Sequence, residues 1–175
     1  NTFSVEKLGG IFAFLDGFSG EKKTAADYHT LAQMQLKRVY IGVETGSDEL
    51  LRSLKKPGSA ADAVQTVALL KKAEISVGVI FLLGVGGKKY AAQHVRETIR
   101  ILNAMQLDLE DIIYFSELVE HESMEYTRSA YAHEYGPLNA AERAAQAEEI
   151  TASLRFSESS GVPHISRYDI REFVY

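Results

Sequence analysis

Apolar and polar positions along the chain alternate between a short and a helical period. Residues 10–15 (GIFAFL) form an apolar run after a glycine pair and predict a buried strand. Residues 16–23 are a polar, glycine-containing loop. Residues 24–36 turn to helical spacing, with Tyr28, Leu31 and Gln35 on one side, and Ala32 and Leu36 beside them. Thr24 followed by Asp27 is an N-cap pattern. Residues 38–43 (RVYIGV) predict a strand. Ser47 caps SDELLRSLKK, whose acids at the start and lysines at the end match a helix dipole. Pro57 and Gly58 stop that helix. Ser59 caps another, with Ala60, Val64, Val67 and Leu70 at apolar spacing up to Lys71 and Lys72.

Residues 75–83 (ISVGVIFLL) are the most apolar stretch and predict a strand covered on both faces, as in parallel sheets. A glycine turn, 84–87, leads to a helix over 90–105, with Val95, Ile99 and Leu102 at apolar spacing. Residues 111–118 (DIIYFSEL) predict the next strand. Residues 120–136 are irregular and rich in Tyr, His and Glu. Asn139 caps an Ala- and Glu-rich helix to about residue 156. Residues 162–166 read as a last strand, which Pro163 would confine to an edge, and 168–175 as an amphipathic tail.

Strands spaced by helices imply parallel pairing with right-handed crossovers. The fold class is therefore α/β, with four to five parallel strands and flanking helices in a single domain over 1–175. An eight-unit barrel needs about 250 residues. The pattern leaves an open sheet and part of a barrel both available.

Composition narrows the function more than the fold. Hydrophobic residues make up 46% and charged residues 25%, a globular balance. The net charge of -5 argues against a nucleic-acid surface. The chain has no cysteine, which excludes disulfides, Cys-ligated zinc and an iron–sulfur cluster built from this chain alone. No run of about 18 apolar residues suggests a membrane span. The start, Asn1-Thr2-Phe3, has neither an initiator Met nor a signal-peptide pattern. The expectation is a segment cut from a longer, cytoplasmic polypeptide.

In α/β sheets and barrels, ligands bind beyond the carboxyl ends of the strands. Here those ends are Asp16-Gly17, Glu44-Thr45-Gly46-Ser47, Gly84-Val85-Gly86-Gly87 and Ser116-Glu117. Glu44 can accept two hydroxyl hydrogen bonds, as a ribose diol requires. Gly46 would let a ligand approach the backbone, and the helix after Ser47 would offer N–H groups to an anion. The equal alternative is that Glu44 merely ends a strand in a polar rim. The LLGVGGKKY loop fails both G-x-x-x-x-G-K-[ST] and G-x-G-x-x-G, so a plain strand-to-helix turn is favoured. None of the histidines (29, 94, 121, 133, 164) has a metal-binding spacing, and no complete catalytic set exists.

RVYIGVETGSDELLRSLKKPGS resembles the fourth-strand region of radical-SAM (S-adenosylmethionine) enzymes, VGVIFLLGVGG their fifth-strand motif and DIIYFSELVE their sixth strand. The ending, SRYDIREFVY, is similar to a segment late in some members. The resemblance covers the chain from about Gly10 onward. It implies a partial (β/α) barrel whose upstream Cys-x-x-x-Cys-x-x-Cys loop holds a 4Fe-4S cluster. That cluster reduces SAM to a 5′-deoxyadenosyl radical that abstracts hydrogen. By this resemblance Glu44 would contact the ribose or the amino acid end of SAM, Lys56 the SAM carboxylate, and Gly84 with the backbone at Phe115 and Ser116 the adenine. For Lys56 the plain alternative is a helix-end lysine. The cysteine loop is absent from this chain. So is the acid that some relatives carry on the fifth strand, which would leave the ribose to Glu44.

The expected role is therefore a fragment of a radical SAM enzyme: it contributes the SAM-binding rim and part of the substrate site and is inactive alone. The substrate stays unnamed, and residues 120–136 are the candidate substrate- or partner-contact loop. Two alternatives stand beside it. One is a fragment of another (β/α) barrel, aldolase-like, with Lys88 or Lys56 as the amine. The other is a stand-alone α/β ligand-binding module. A truncated sheet would also self-associate through the exposed edge at 10–15, which carries no lysine or proline.

Overall fold

The computed structural model describes residues 9–15, 23–118, 128 and 134–168. The loop at Asp16-Gly17, most of the irregular 120–136 segment and the tail from 169 lie outside the described residues. Among the described residues the elements follow in the order β1 (Ile11–Leu15), α1 (Ala25–Gln33), β2 (Leu36–Glu44), α2 (Asp48–Ser53), α3 (Ala60–Lys72), β3 (Ser76–Leu83), α4 (Gly87–Ala104), β4 (Ile112–Glu117), α5 (Ala140–Ala152) and β5 (His164–Tyr168).

The helix starts are where the caps put them. Thr24, Ser59 and Asn139 each close a capping box, with Asp27, Asp62 and Glu142 respectively, so donors left free at each first turn are satisfied reciprocally. Ser47 caps α2 through Leu50 N–H. Several boundaries differ from expectation: α5 stops at Ala152, short of 156, and β5 covers His164–Tyr168 rather than 162–166. Helix α1 ends at Gln33 because Gln35 takes a φ of 73° and Leu36 becomes strand, pairing with Ile11. Helix α4 begins at Gly87, since Gly86, at φ 79°, caps it from the left-handed region.

All five strands lie in one sheet in the order β1-β2-β3-β4-β5, each pair parallel. Neighbouring helices pack side by side, α1 on α3, α3 on α4, α4 on α5. A sheet that never reverses its order, with its long helices in one row, is wound in one sense, as in a barrel wall. A doubly wound sheet would place helices on both faces. The sheet here is open.

Strand parity places the core. Val39, Ile41 and Val43 of β2, Val77, Val79, Phe81 and Leu83 of β3, and Ile113 and Phe115 of β4 point to the helix layer and are buried. Their neighbours face the other way. Ile80 and Leu82 are only half-buried, so β3 is covered by helices on one face and not on both as expected. The second face carries Phe14 stacked on Tyr40 with centroids 5.0 Å apart, and Tyr40 lies against Gly78, where any Cβ would strike its ring. Phe12 and Phe14 are 59% and 74% exposed on β1, which ends the sheet among the described residues.

Candidate functional site

The open face ends in a concavity of about 420 Å³ at the carboxyl ends of β2, β3 and β4. Its apolar walls are Phe14, Leu54, Ile80 and Leu82. Glu44, Lys56 and Ser116 supply its polar groups, and Gly42 its floor.

Glu44 reaches this face because β2 changes register. Gly42 pairs with Ile80 but Glu44 with Phe81, so Val43 is an extra residue in a bulge. Glu44 itself has a φ of 66°. Lys56 arrives from the other side. After α2, Lys55 adopts φ 54°, its N–H donates to Arg52 O at 3.0 Å, and Lys56 N–H donates to Leu51 O at 2.9 Å. That pair of bonds is a Schellman cap, which reverses the chain and returns Lys56 toward the sheet. Lys56 Nζ meets Glu44 Oε1 at 2.9 Å, with both side chains 17% exposed. Gly42 makes the meeting possible: a Cβ there would sit 2.6 Å from Glu44 Oε1 and 3.1 Å from Lys56 Nζ. Sequence reading singled out Glu44 and Lys56 and passed over Gly42; its signal was a glycine two residues before a strand-ending acid.

The other expected site residues divide. Ser116 lines the concavity. Phe115 points the opposite way, into the core. Gly84, at φ 90°, lies under the Arg143 side chain and its N–H donates to Gln146 Oε1 at 3.0 Å. Gly46 and Ser47 are not in the concavity: Gly46 sits against the Glu97–Thr98 backbone of α4, where a Cβ would collide, and Ser47 is fully buried beneath Gln93. Helix α2 has 6 residues and its start is occupied by Ser47's own cap.

The glycine turn 84–87 has a definite purpose. Lys88 N–H donates to Gly136 O at 2.7 Å and Lys89 N–H to Tyr135 O at 3.1 Å. Gly87 lacks the Cβ that would strike those carbonyls. The start of α4 is thus filled by backbone, which leaves it no place for an anion. Tyr135 also packs edge-on against Tyr90 at 5.1 Å. A larger groove, about 940 Å³ between α4 and α5, includes none of Glu44, Lys56 or Ser116.

Behind the site, His94 is fully buried on α4 with Nδ1 2.9 Å from Thr45 Oγ1. Burial pushes the imidazole down to about 4, so it is neutral near pH 7. Neither barrel-amine candidate is a strand lysine. Lys56 is ion-paired, and Lys88 lies exposed beside Glu142.

The donor set can be tested against the groups that the resemblance implies. A carboxylate and an ammonium between apolar walls suit a zwitterionic nucleoside-like ligand such as SAM. No group of three or more His, Cys, Asp or Glu that could hold a metal occurs among the described residues, and the chain has no cysteine. These residues therefore do not fit a 4Fe-4S cluster. No described helix is long and apolar enough to cross a membrane.

No curated protein matches the chain. The family model described as Radical SAM superfamily matches residues 16–102, which span β2, α2, α3 and β3 with Glu44 and Lys56 among them. Over that stretch the chain belongs to the radical SAM superfamily.

Proposed function

We propose that the chain is the later part of a radical SAM enzyme and that the Glu44–Lys56 concavity is its SAM-binding rim. The observation that carries this reading is the ion pair itself, held at the carboxyl end of parallel strands inside the stretch that matches the family. Bound here, SAM would supply hydrogen-abstracting chemistry, with the cluster that this chemistry needs held by residues other than these. This chain's residues bind and orient it. Glu44 Oε1 holds Lys56, and Oε2, with no partner among the described residues, accepts from the ribose diol. Lys56, held beside Glu44, would also donate to the SAM carboxylate. Phe14, Ile80 and Leu82 exclude water around the nucleoside, and Ser116 borders the adenine. Gly84 and Phe115 contribute through backbone. Gly46 and Ser47 act by fixing the turn behind Glu44. Substrate contact falls to the 120–136 segment, as loops on a rigid scaffold carry specificity.

Calorimetric titration of SAM into the cluster-loaded full-length protein tests the site. Glu44→Ala and Lys56→Ala should each weaken binding about tenfold or more, the order of one charge-assisted hydrogen bond. Unchanged affinity in both would assign the pair to structure. The chain alone should form no cluster and no 5′-deoxyadenosine after anaerobic reconstitution, for want of cysteine ligands. Stoichiometric cluster absorbance would refute that. It should also self-associate through β1, whose outer edge has no strand partner among the described residues. Light scattering that stays monomeric across a concentration range would favour a stand-alone α/β module instead.

A further inference from the structure

A strained turn lies between the open face and the buried histidine. Thr45 N–H donates back to Val43 O at 2.8 Å across Glu44, whose φ is 66°. This closes a three-residue γ-turn of the positive-φ kind, which is rare and strained. Such strain persists only where the surroundings over-determine it.

The surroundings here are specific. Val43 and Thr45 are 2% and 0% exposed. Thr45 Oγ1 accepts from Ser47 N–H at 3.1 Å and stands 2.9 Å from His94 Nδ1. One turn along α4 from His94, Thr98 Oγ1 accepts from Gly46 N–H at 3.2 Å. The residues after Glu44 are thus pinned to α4 by a polar pair that is 0% exposed, His94 and Thr98. His94 bonds to no side chain but Thr45 among the described residues, and its Nε2 finds no partner there. Burying an imidazole for one hydrogen bond disfavours folding relative to an apolar side chain of like size. Its geometry serves the turn.

We propose that His94 is a positioning residue: through Thr45 it locks the γ-turn and thereby aims Glu44 at Lys56 and the concavity. It touches no ligand. The effect on SAM rests on the reading of the concavity as the SAM site; the locking of the turn does not.

The test uses the cluster-loaded full-length protein with Thr45→Val and His94→Leu, which remove the bond. Thr45→Ser keeps the hydroxyl and His94→Asn keeps a polar atom where Nδ1 lies. The first readout is amide hydrogen exchange. Thr45 N–H should exchange at least about tenfold faster in Thr45→Val and His94→Leu, the order of one lost buried hydrogen bond, and should recover in Thr45→Ser and His94→Asn. A uniform rise over β2 and α4 would mean general loosening and would overturn the proposal. The second readout is SAM affinity. It should fall about tenfold in Thr45→Val and His94→Leu, recover in Thr45→Ser and His94→Asn, and fall no further when His94→Leu is added to Glu44→Ala. Additive losses would show that His94 does not act through Glu44. If Glu44→Ala leaves affinity unchanged while Thr45 exchange rises selectively, the SAM reading fails and the lock stands. If His94→Leu does not fold, the near-isosteric Thr45 pair decides the matter by itself.

Discussion

At the amino ends of β3 and β4, Lys71 reaches Asp108 and Asp111 at 2.6 and 2.7 Å; at the carboxyl end of β2, Lys56 reaches Glu44 at 2.9 Å. The chemistry is the same and the construction differs. Asp111 is fully buried, and both its oxygens are engaged: Oδ1 by Val77 N–H at 2.8 Å, Oδ2 by Lys71 and by Asp108 N–H at 2.9 Å. That group is closed and joins the two strand starts. Glu44 is partly exposed, sits in a strained turn and keeps an oxygen in hand. A closed ion cluster serves the fold, whereas an open one presents charge to a ligand.

The sharpest way to break this contrast is to remove each acid. Asp111→Ala should destabilise by about 2–4 kcal/mol, since it leaves the Val77 and Asp108 N–H groups without their acceptor and takes from Lys71 one of its two carboxylates. Asp111→Asn should recover part of that by still accepting from Val77. Urea denaturation measures both, and a loss no larger than that of Glu44→Ala would erase the distinction.

The next effect concerns pH. His94 is held near 4 by burial, below the 6.5 of the unfolded chain, so between those values the unfolded state binds more protons. Stability should therefore rise by about 3 kcal/mol as pH goes from 4 to 6.5 and change little above that window. Denaturation midpoints across the range should flatten in His94→Leu; an unaltered slope would show that another group titrates. The carboxylates act lower. For Asp108, burial raises the carboxyl, but the hydrogen bond from Lys71, the Glu110 N–H and the Lys71 charge reverse it to below its ordinary 3.8. Its contribution is lost only as pH falls through that lower value.

At the open pair the effect should move from stability to binding. Glu44→Ala should cost about 1–2 kcal/mol, less than Asp111→Ala, because it removes one ion-pair hydrogen bond and takes no acceptor from a backbone N–H. Glu44→Gly should cost less than Glu44→Ala, because glycine takes φ 66° without strain. Both should weaken SAM binding about tenfold, worth about 1.4 kcal/mol. A large stability loss with intact binding would make Glu44 a second Asp111. The smallest effect is expected at Lys88, paired with Glu142 at 3.3 Å and 61% exposed. Lys88→Ala should leave the denaturation midpoint unmoved, and a clear shift would show that exposed pairs here do more than decorate the surface.

Local signals carried much of this architecture into the sequence. The caps at Thr24, Ser59 and Asn139 were readable from a polar residue placed just before a helical pattern, and a side chain three residues on completes each of them. The strands were readable from their apolar runs. Glu44 and Lys56 were readable singly, from motif and helix end, but not as a pair, because their meeting depends on a bulge, a Schellman cap and the missing Cβ of Gly42. Gly46 and Ser47 were expected beside a ligand because nothing local reveals that α4 packs over them. His94 showed no metal spacing, yet it shares a helical stripe with Thr98, Ile101 and Leu102, all buried. That spacing marks it as interior, and only the tertiary contact with Thr45 gives it a task.

The plug of carbonyls at the start of α4 has a consequence for how this scaffold can diversify. The chain leaves the sheet at Leu118, whose N–H donates to Leu83 O at 3.0 Å, and returns at Tyr135 and Gly136 on Lys89 and Lys88. Both ends of the intervening stretch are therefore tied to one short piece of chain, residues 83–89. Closing a loop between fixed posts becomes harder only logarithmically with length, about 0.6 kcal/mol for each doubling. A change of length between those posts therefore adds little closure cost, while a side chain at Gly87 would dislodge the post itself. Chain length between the two posts can therefore change while the sheet end that holds them stays as it is.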